Sequence, residues 1–208
     1  MGWTTTTAEV RTRTTTTTRG RFLSLGAKGG LALAAGGTLL AAATGPALGQ
    51  ASGDVAIAKL AATAELLAIN FYGRAIGTGH FTGDELAYLK AARQNERDHY
   101  AALADVLGSA APKDLMFTYP AGTLASAGSV ATTGVALETA FVGAYLGAVE
   151  ALESDDLKAV AGQIGANEAQ HLTTFRRLAD DGMLAANPSF PASLTAKQAT
   201  AAVTPFLA

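Results

Sequence analysis

The sequence contains no cysteine, and this absence removes several kinds of site at once. Disulfides, thiolate zinc sites, thiol catalysis and cysteine-linked lipid anchors are all excluded. Any metal site must therefore use carboxylate, imidazole, phenol or water as ligands. Aromatic residues make up only 7% and charged residues only 15% of the chain, while 49% is hydrophobic. Alanine, leucine and threonine dominate, and this composition favours helices over a sheet.

Positive charge is scarce outside the first 49 residues. That segment holds five basic residues and one acidic residue, which leaves 10 of the 15 basic and 16 of the 17 acidic groups in residues 50–208. The larger part of the chain is therefore acidic. It offers no basic patch of the kind that binds nucleic acid, and we expect no nucleic-acid partner.

The first 49 residues have the order of a secretory signal peptide. Residues 4–18 are rich in threonine and arginine without apolar periodicity, which predicts disorder. The segment Arg19–Leu23 (RGRFL) then precedes an apolar run over residues 31–43 and the small residues of 46–49. A positive region, an apolar region and small residues in this order predict export.

The export route and the fate of this segment have alternatives. The long n-region and the RGRFL segment resemble a twin-arginine signal, but Gly20 separates two arginines that are adjacent in such signals. An uncleaved membrane anchor is the other alternative, although the apolar run is short for a span of about 20 residues. We expect the protein in the periplasm, in the cell envelope or outside the cell.

Residues 50–208 are expected to form one all-α domain of four long helices. The predicted helices run from the N-cap Asp54 to Gly77–Gly79, from a capping box at Thr82–Glu85 to Gly108, from Ser129 to Leu152, and from Ser154 to Gly182. A capping pattern at Thr195–Gln198 predicts a short fifth helix that Pro205 ends. The short loops predict two antiparallel hairpins, and segment 109–128 is long enough to cross the length of the bundle.

The two predicted hairpins repeat the same residues at matching spacing. The shared pattern is a glutamate with a tyrosine seven residues later, followed in the next helix by Asn-Glu-x-x-His. The first copy consists of Glu65, Tyr72, Asn95, Glu96 and His99. The second copy consists of Glu138, Tyr145, Asn167, Glu168 and His171. Agreement in residue types, spacing and order indicates two similar hairpins that face each other.

This repeated pattern has the residue types of a two-metal carboxylate site. Residues three apart lie on one face of a helix, so each Glu-x-x-His can direct both side chains to one metal ion. One glutamate from each of two helices and Glu-x-x-His from each of the other two form a di-iron or di-manganese constellation. Carboxylates with one imidazole per metal suit iron or manganese. The predicted ligands are Glu65, Glu96, His99, Glu138, Glu168 and His171.

Two of these glutamates stand alone in apolar helices. Glu138 is the only charged residue between positions 114 and 150, and Glu65 is the only one between positions 59 and 74. Burying an unpaired carboxylate costs several kcal/mol, so each must be protonated, paired or bound to metal. Tyr72 and Tyr145 are either core residues or hydrogen-bond donors to carboxylates.

Two asparagines and the third histidine of the chain remain to be interpreted. Asn95 and Asn167 are further candidates for orienting ligands. His80 has no partner glutamate in the repeated pattern, and we expect it at the surface.

The stretches Ala64–Tyr72 (AELLAINFY) and Asn95–Tyr100 (NERDHY) resemble the ferritin-like superfamily. Within it they are similar to exported bacterial ferritin-like domains related to plant desiccation-related proteins, as is the tail Ser193–Leu207. The resemblance covers about residues 52–207. It implies a ferritin-like four-helix bundle with a long 2–3 crossover and a short C-terminal fifth helix. It also implies two iron or two manganese ions on the six ligands, in a superfamily of iron oxidisers, peroxide-reducing proteins and manganese catalases.

Three functions fit these patterns. The first is a di-metal redox protein that reacts with oxygen or peroxide in stress protection. The second is a non-catalytic structural or protective bundle with a structural or empty metal site, which could form a homo-oligomer or contact the cell envelope. The third is a membrane protein with the third helix as a span, although Glu138 would then lie in mid-membrane at a cost of a few kcal/mol.

Overall fold

A computed structural model describes residues 53–180 and 187–208. The predicted signal segment 1–49 and the predicted end of the fourth helix at Gly182 lie outside the described residues. Four long helices and a short fifth one form the described part. They are α1 (Asp54–Gly77), α2 (Gly83–Leu107), α3 (Ala127–Ala151), α4 (Asp155–Ala179) and α5 (Ala196–Val203). The predicted all-α fold with a short C-terminal helix is confirmed.

The helices form two hairpins joined by a long crossover. α1 packs mainly on α2, and α3 packs mainly on α4. The crossover leaves the C-terminal end of α2 and contacts α1, where the Tyr119 hydroxyl donates a 2.8 Å hydrogen bond to Oδ1 of Asn70. It then reaches the α1–α2 turn, where Nε2 of the exposed His80 lies 3.1 Å from the carbonyl oxygen of Leu124. The crossover therefore runs along the bundle.

Three of the predicted helix starts have side-chain caps. Ser126 accepts a hydrogen bond from the backbone N–H of Ser129 at the start of α3. Ser154 caps α4 in the same way. Thr195 and Gln198 form the complete capping box of α5, in which each side chain bonds the other residue's backbone. These local signals place the helix starts within about two residues of the prediction.

One predicted N-cap, Asp54, and one predicted capping box, at Thr82, are wrong. Asp54 is the first residue of α1 and not its N-cap, and its carboxylate accepts hydrogen bonds from the backbone N–H groups of Glu153 (2.8 Å) and Ser154 (2.9 Å). It thereby ties the start of α1 to the α3–α4 turn. Thr82 does precede α2, but its side chain makes no cap hydrogen bond. Gly83 follows with a φ of 51°, outside the helical region, so the backbone lacks the geometry of a capping box.

Helices α1 and α3 are long and apolar enough to cross a membrane by length and composition. The core helices of a bundle share these properties. Each of the two helices also carries a buried glutamate near its middle, Glu65 in α1 and Glu138 in α3. Both glutamates contact side chains from other helices of the bundle. The bundle therefore accounts for these charges, whereas a span would leave Glu138 in mid-membrane without a partner.

Among the described residues, the core consists of two hydrophobic clusters. One contains residues such as Phe71, Leu89 and Phe175. The other contains residues such as Leu103 and Ile164. On α2 and α4 the glutamate of the Glu-x-x-His pattern lies between residues of the first cluster and residues of the second. The carboxylates thus form a polar layer between two apolar ones.

Candidate metal centre

The six predicted ligands lie together between the four long helices. Two groups of four residues each have one ligand atom per residue, and all four atoms of a group lie within 4.8 Å of one another. The first group consists of Glu65, Glu96, His99 and Glu168. The second group consists of Glu96, Glu138, Glu168 and His171. Because Glu96 and Glu168 belong to both groups, the two groups that could each hold a metal ion are adjacent and share two carboxylates.

This cluster is buried, with one exception. Glu96 and Glu168 are 0% exposed, and Glu138 and His171 are 1% exposed. His99 belongs to the first group and keeps 13% of its side chain exposed. The first group therefore has a solvent-facing side at His99, whereas every member of the second group is enclosed.

The histidine nitrogens lie among the carboxylate oxygens. Nδ1 of His99 is 3.3 Å from Glu65 Oε2, 3.3 Å from Glu96 Oε2 and 3.0 Å from Glu168 Oε1. Nδ1 of His171 is 2.8 Å from Glu96 Oε1 and 3.1 Å from Glu168 Oε2. An imidazole nitrogen carries at most one hydrogen, so two N–H groups face five oxygens.

The carboxylates are accordingly left short of hydrogen bonds. Four buried oxygens have no hydrogen bond of good geometry, although histidine nitrogens lie near three of them. They are Glu65 Oε2, Glu96 Oε1, Glu138 Oε2 and Glu168 Oε1. Unsatisfied buried carboxylate oxygens are costly, and one cation in each of the two groups would provide partners for them. This donor set of oxygens and two imidazoles fits iron or manganese.

The two repeat tyrosines connect the hairpins across the site. The Tyr72 hydroxyl of α1 donates a 2.7 Å hydrogen bond to Oε1 of Glu138 in α3. The Tyr145 hydroxyl of α3 donates in turn to Oε1 of Glu65 in α1. Both tyrosines are buried core residues, and each hydroxyl also donates to the glutamate of the opposite hairpin.

The two repeat asparagines differ. Nδ2 of Asn95 lies 3.3 Å from Nε2 of His171, the nitrogen that faces away from the carboxylates. Asn167 is half-buried, and no described residue makes an equivalent contact with it. Amide oxygen and nitrogen positions are assigned from such contacts, so either atom of the Asn95 amide can serve Nε2. Asn95 therefore orients the His171 ring through Nε2, whereas Asn167 does not orient His99 in the same way.

Tyr88 is a neighbour of the site that the repeat did not indicate. Its ring lies edge-on to His171, with 6.3 Å between ring centroids. Tyr88 precedes Glu96 by eight residues on α2, a spacing that returns to the same helix face. That spacing is the only sequence signal for it, because the matching position before Glu168 is Val160.

Burial and crowding change the proton affinities of the site in the absence of metal. Burial raises the pKa of Glu65 and of Glu138 well above the ordinary value, and neighbouring carboxylates add to the effect. Burial also opposes the charged form of Glu96, but hydrogen bonds with His171 and His99 outweigh it and lower the pKa of Glu96 to about 2. Without metal, protons therefore reduce the negative charge of this cluster.

The pKa values of the two histidines are raised, whereas burial alone lowers the pKa of an imidazole. Burial lowers the pKa of His99, but close contacts with the carboxylates of Glu168, Glu65 and Glu96 outweigh it and raise the pKa to about 12. The pKa of His171 rises to about 9 for the same reason. Metal ions would displace these protons, as they do wherever ligands must be deprotonated.

Comparison with known proteins agrees with this geometry. Residues 53–181 match the family model of the ferritin-like domain. The chain belongs to the ferritin-like family. No curated protein matches the chain. The matched part of this ferritin-like protein contains α1 to α4 and all six clustered residues. The family match and the cluster together support a site that could bind metal. Metal ligation by each of the six residues stays a prediction.

Proposed function

We propose that this ferritin-like protein holds two iron or two manganese ions and uses them in oxygen, peroxide or iron redox chemistry. The observation that carries the proposal is the pair of four-residue groups with Glu96 and Glu168 in common. Two separate sites would not need shared carboxylates, whereas a two-metal centre with bridging ligands does. The proposed ligands are Glu65, Glu96, His99, Glu138, Glu168 and His171.

The protein's own residues have distinct tasks in this proposal. The two ions, when bound, would supply redox chemistry toward oxygen or peroxide. Glu96 and Glu168 would help to hold both ions, because each belongs to both four-residue groups. Tyr72 and Tyr145 keep Glu138 and Glu65 in position by hydrogen bonds from the opposite hairpin. The apolar clusters on either side limit access of water to the centre.

The direct test of this proposal is metal-dependent turnover. The protein loaded with Fe(II) or Mn(II) is expected to consume oxygen or peroxide, and the metal-free protein is not. Glu138→Ala is expected to lose this activity, while Glu150→Ala, an exposed change on the same helix, is expected to keep it. Normal turnover by Glu138→Ala would contradict the proposed ligand set.

A second candidate function is a non-catalytic structural or protective bundle. The observation that favours it is that the site residues are already linked without metal. Histidine–carboxylate contacts of 2.8–3.3 Å and the two tyrosine bonds tie all four long helices together. This candidate predicts that metal raises the melting temperature without any metal-dependent oxidation. The turnover measurement therefore separates the two candidates.

Export and stress protection are also part of the proposal. The order of positive, apolar and small residues in segment 1–49 supports export, and the resemblance to exported desiccation-related domains supports the protective role. Cell fractionation of the full chain, with and without Arg19→Lys and Arg21→Lys together, tests the route. Accumulation of unprocessed protein inside the cell only in the variant would support a twin-arginine-like signal. Normal export of the variant would contradict it.

A further inference from the structure

An apolar pocket of about 50 Å³ lies between α1, α3 and the C-terminal segment. Ile57 and Ala61 line it from α1, Ala144 and Tyr145 line it from α3, and Ala199 lines it from α5. Most of the other lining residues are also alanine, leucine or another apolar type. The proposed chemistry of the carboxylate cluster does not use this pocket.

Tyr145 connects the pocket to the candidate metal centre. The residue belongs to the pocket wall, while its hydroxyl donates to Oε1 of Glu65. A second apolar pocket of about 20 Å³ is also lined by Tyr145, together with Ile57, Ala61 and Ala148 of the first pocket. Tyr145 therefore borders two apolar pockets, one beside the C-terminal segment and one in the bundle interior.

The C-terminal segment that covers the pocket is held tightly on α3. The backbone N–H of Leu194 donates a 2.8 Å hydrogen bond to the carbonyl oxygen of Gly143. A Cβ atom at Gly147 would overlap the carbonyl oxygen of Leu194, so only glycine admits the chain this close. The pocket is thus a fixed feature between three packed elements and not a gap beside a loose tail.

The size and polarity of the pocket select its occupant. Apolar cavities stay dry, and a cavity of roughly 150 Å³ accepts benzene or xenon, whereas one water needs only about 10–15 Å³. The space of about 50 Å³ in this partly open pocket has room for a small apolar molecule. Peroxide needs several hydrogen-bond partners, and the Tyr145 hydroxyl is already bonded to Glu65.

We propose that this pocket binds dioxygen and supplies it to the metal centre past Tyr145. The inference rests on the proposed function and deepens it, because it selects dioxygen over peroxide as the oxidant. The path ends beside Glu65, which is a member of the first ligand group and lies 3.3 Å from Nδ1 of the partly exposed His99.

Xenon binding tests the pocket without any metal or turnover. Crystals of the metal-free protein under xenon pressure are expected to show one xenon atom between Ala61, Ala144 and Tyr145. Ala144→Leu fills the pocket and is expected to abolish the xenon site. Ala136→Leu makes the same change at an exposed position of α3 and is expected to keep it. Absence of xenon from the wild-type pocket would overturn the proposal.

Oxygen dependence of the metal-loaded protein tests the supply of dioxygen. Ala144→Leu is expected to raise the apparent KM for dioxygen several-fold and to leave the apparent KM for peroxide unchanged. If Ala144→Leu does not fold, Ala199→Leu fills the same pocket from α5. Xenon binding with turnover that a filled pocket does not alter would overturn this proposal alone. A protein that binds xenon and consumes peroxide but no oxygen would overturn the dioxygen supply alone. A protein that consumes neither oxygen nor peroxide with either metal would overturn it together with the proposed function.

Discussion

Replacement of Glu138 by glutamine should stabilise the metal-free protein and reduce its stabilisation by metal. Glutamine keeps the size of the side chain and can still accept the hydrogen bond from Tyr72, which is 2.7 Å long in the native protein. It removes a carboxylate that is 1% exposed and has one oxygen without a hydrogen bond. A residue kept for metal binding is expected to cost stability when the metal is absent.

The magnitude follows from the proton affinity of Glu138. Burial, and then the charges of Glu168 and Glu96, raise the pKa of Glu138 well above its ordinary value. A raised carboxyl pKa leaves native stability intact below about pH 4.5 and lowers it as the pH rises toward the native pKa. Each unit of elevation corresponds to ~1.4 kcal/mol. Each kcal/mol corresponds to about 2–4 °C in melting temperature for a domain of this size.

Thermal unfolding at pH 8 and pH 5, with and without Mn(II), is the assay. Without metal, Glu138→Gln is expected to melt several degrees above the wild type at pH 8, with a smaller gain at pH 5. With metal at 1,000 times its Kd, the wild type is expected to gain ~4 kcal/mol for each bound ion, and the variant to lose at least the gain from the group that contains Glu138. Glu150→Gln, exposed on the same helix, should change neither quantity. The reasoning is refuted if Glu138→Gln melts lower than the wild type at pH 8 or still responds fully to metal.

Three further predictions concern the same centre. Tyr145→Phe removes the hydrogen bond to Glu65, so it should lower the free energy of unfolding by ~1.5–3 kcal/mol and weaken metal binding, as urea unfolding and metal titration would show. Metal-free protein should lose stability as the pH rises from about 6.5 through about 9, because the pKa of His171 is raised to about 9 and the native state then holds a proton that the unfolded chain has lost. The slope in denaturant titrations is up to ~1.4 kcal/mol per pH unit for each such proton, and bound metal should remove it. A chelator should release metal in two phases in stopped-flow measurements, the faster from the group that contains His99, because that side chain is 13% exposed and His171 is 1% exposed.

Each of these predictions has a control or a contrary result. Tyr100→Phe also removes a tyrosine hydrogen bond, the one to the carbonyl oxygen of Pro112, and it should leave metal affinity unchanged. Equal loss of metal affinity in both tyrosine variants would contradict the role of Tyr145. Stability of the metal-free protein that stays level or rises between pH 6.5 and 9 would contradict the linkage to His171. Release of both ions in a single phase would contradict the difference in access.

The helices and the metal candidates were predictable because their signals are local or repeated. Ser154 and Thr195 cap helices within a few residues of themselves, so the caps of α4 and α5 are legible in sequence. The two copies of the Glu and Glu-x-x-His pattern fix which helix face points inward, and this brings Glu65 and Glu138 to one layer. A single carboxylate buried in an apolar helix must be protonated, paired or bound to metal, which made Glu65 and Glu138 candidates.

Other features depend on how distant segments dock, and local patterns do not contain that information. The Asp54 carboxylate accepts hydrogen bonds from backbone groups about a hundred residues away. The local sequence does not show this distant contact, and it therefore predicts an N-cap instead. Tyr72 and Tyr145 serve the glutamates of opposite hairpins, which depends on the pairing of α1 with α3. Tyr88 has no counterpart in the second copy of the repeat, and comparison of the copies therefore misses it.

The number of metal ions bound per chain tests the central claim most directly. The protein would be loaded with Fe(II) or Mn(II), desalted, and analysed by elemental mass spectrometry, beside Glu138→Ala, His171→Ala and the exposed control Glu150→Ala. The account predicts two ions per chain in the wild type and the control, and fewer in both site variants. Metal at trace level after every loading, or equal metal in the wild type and both site variants, would contradict it.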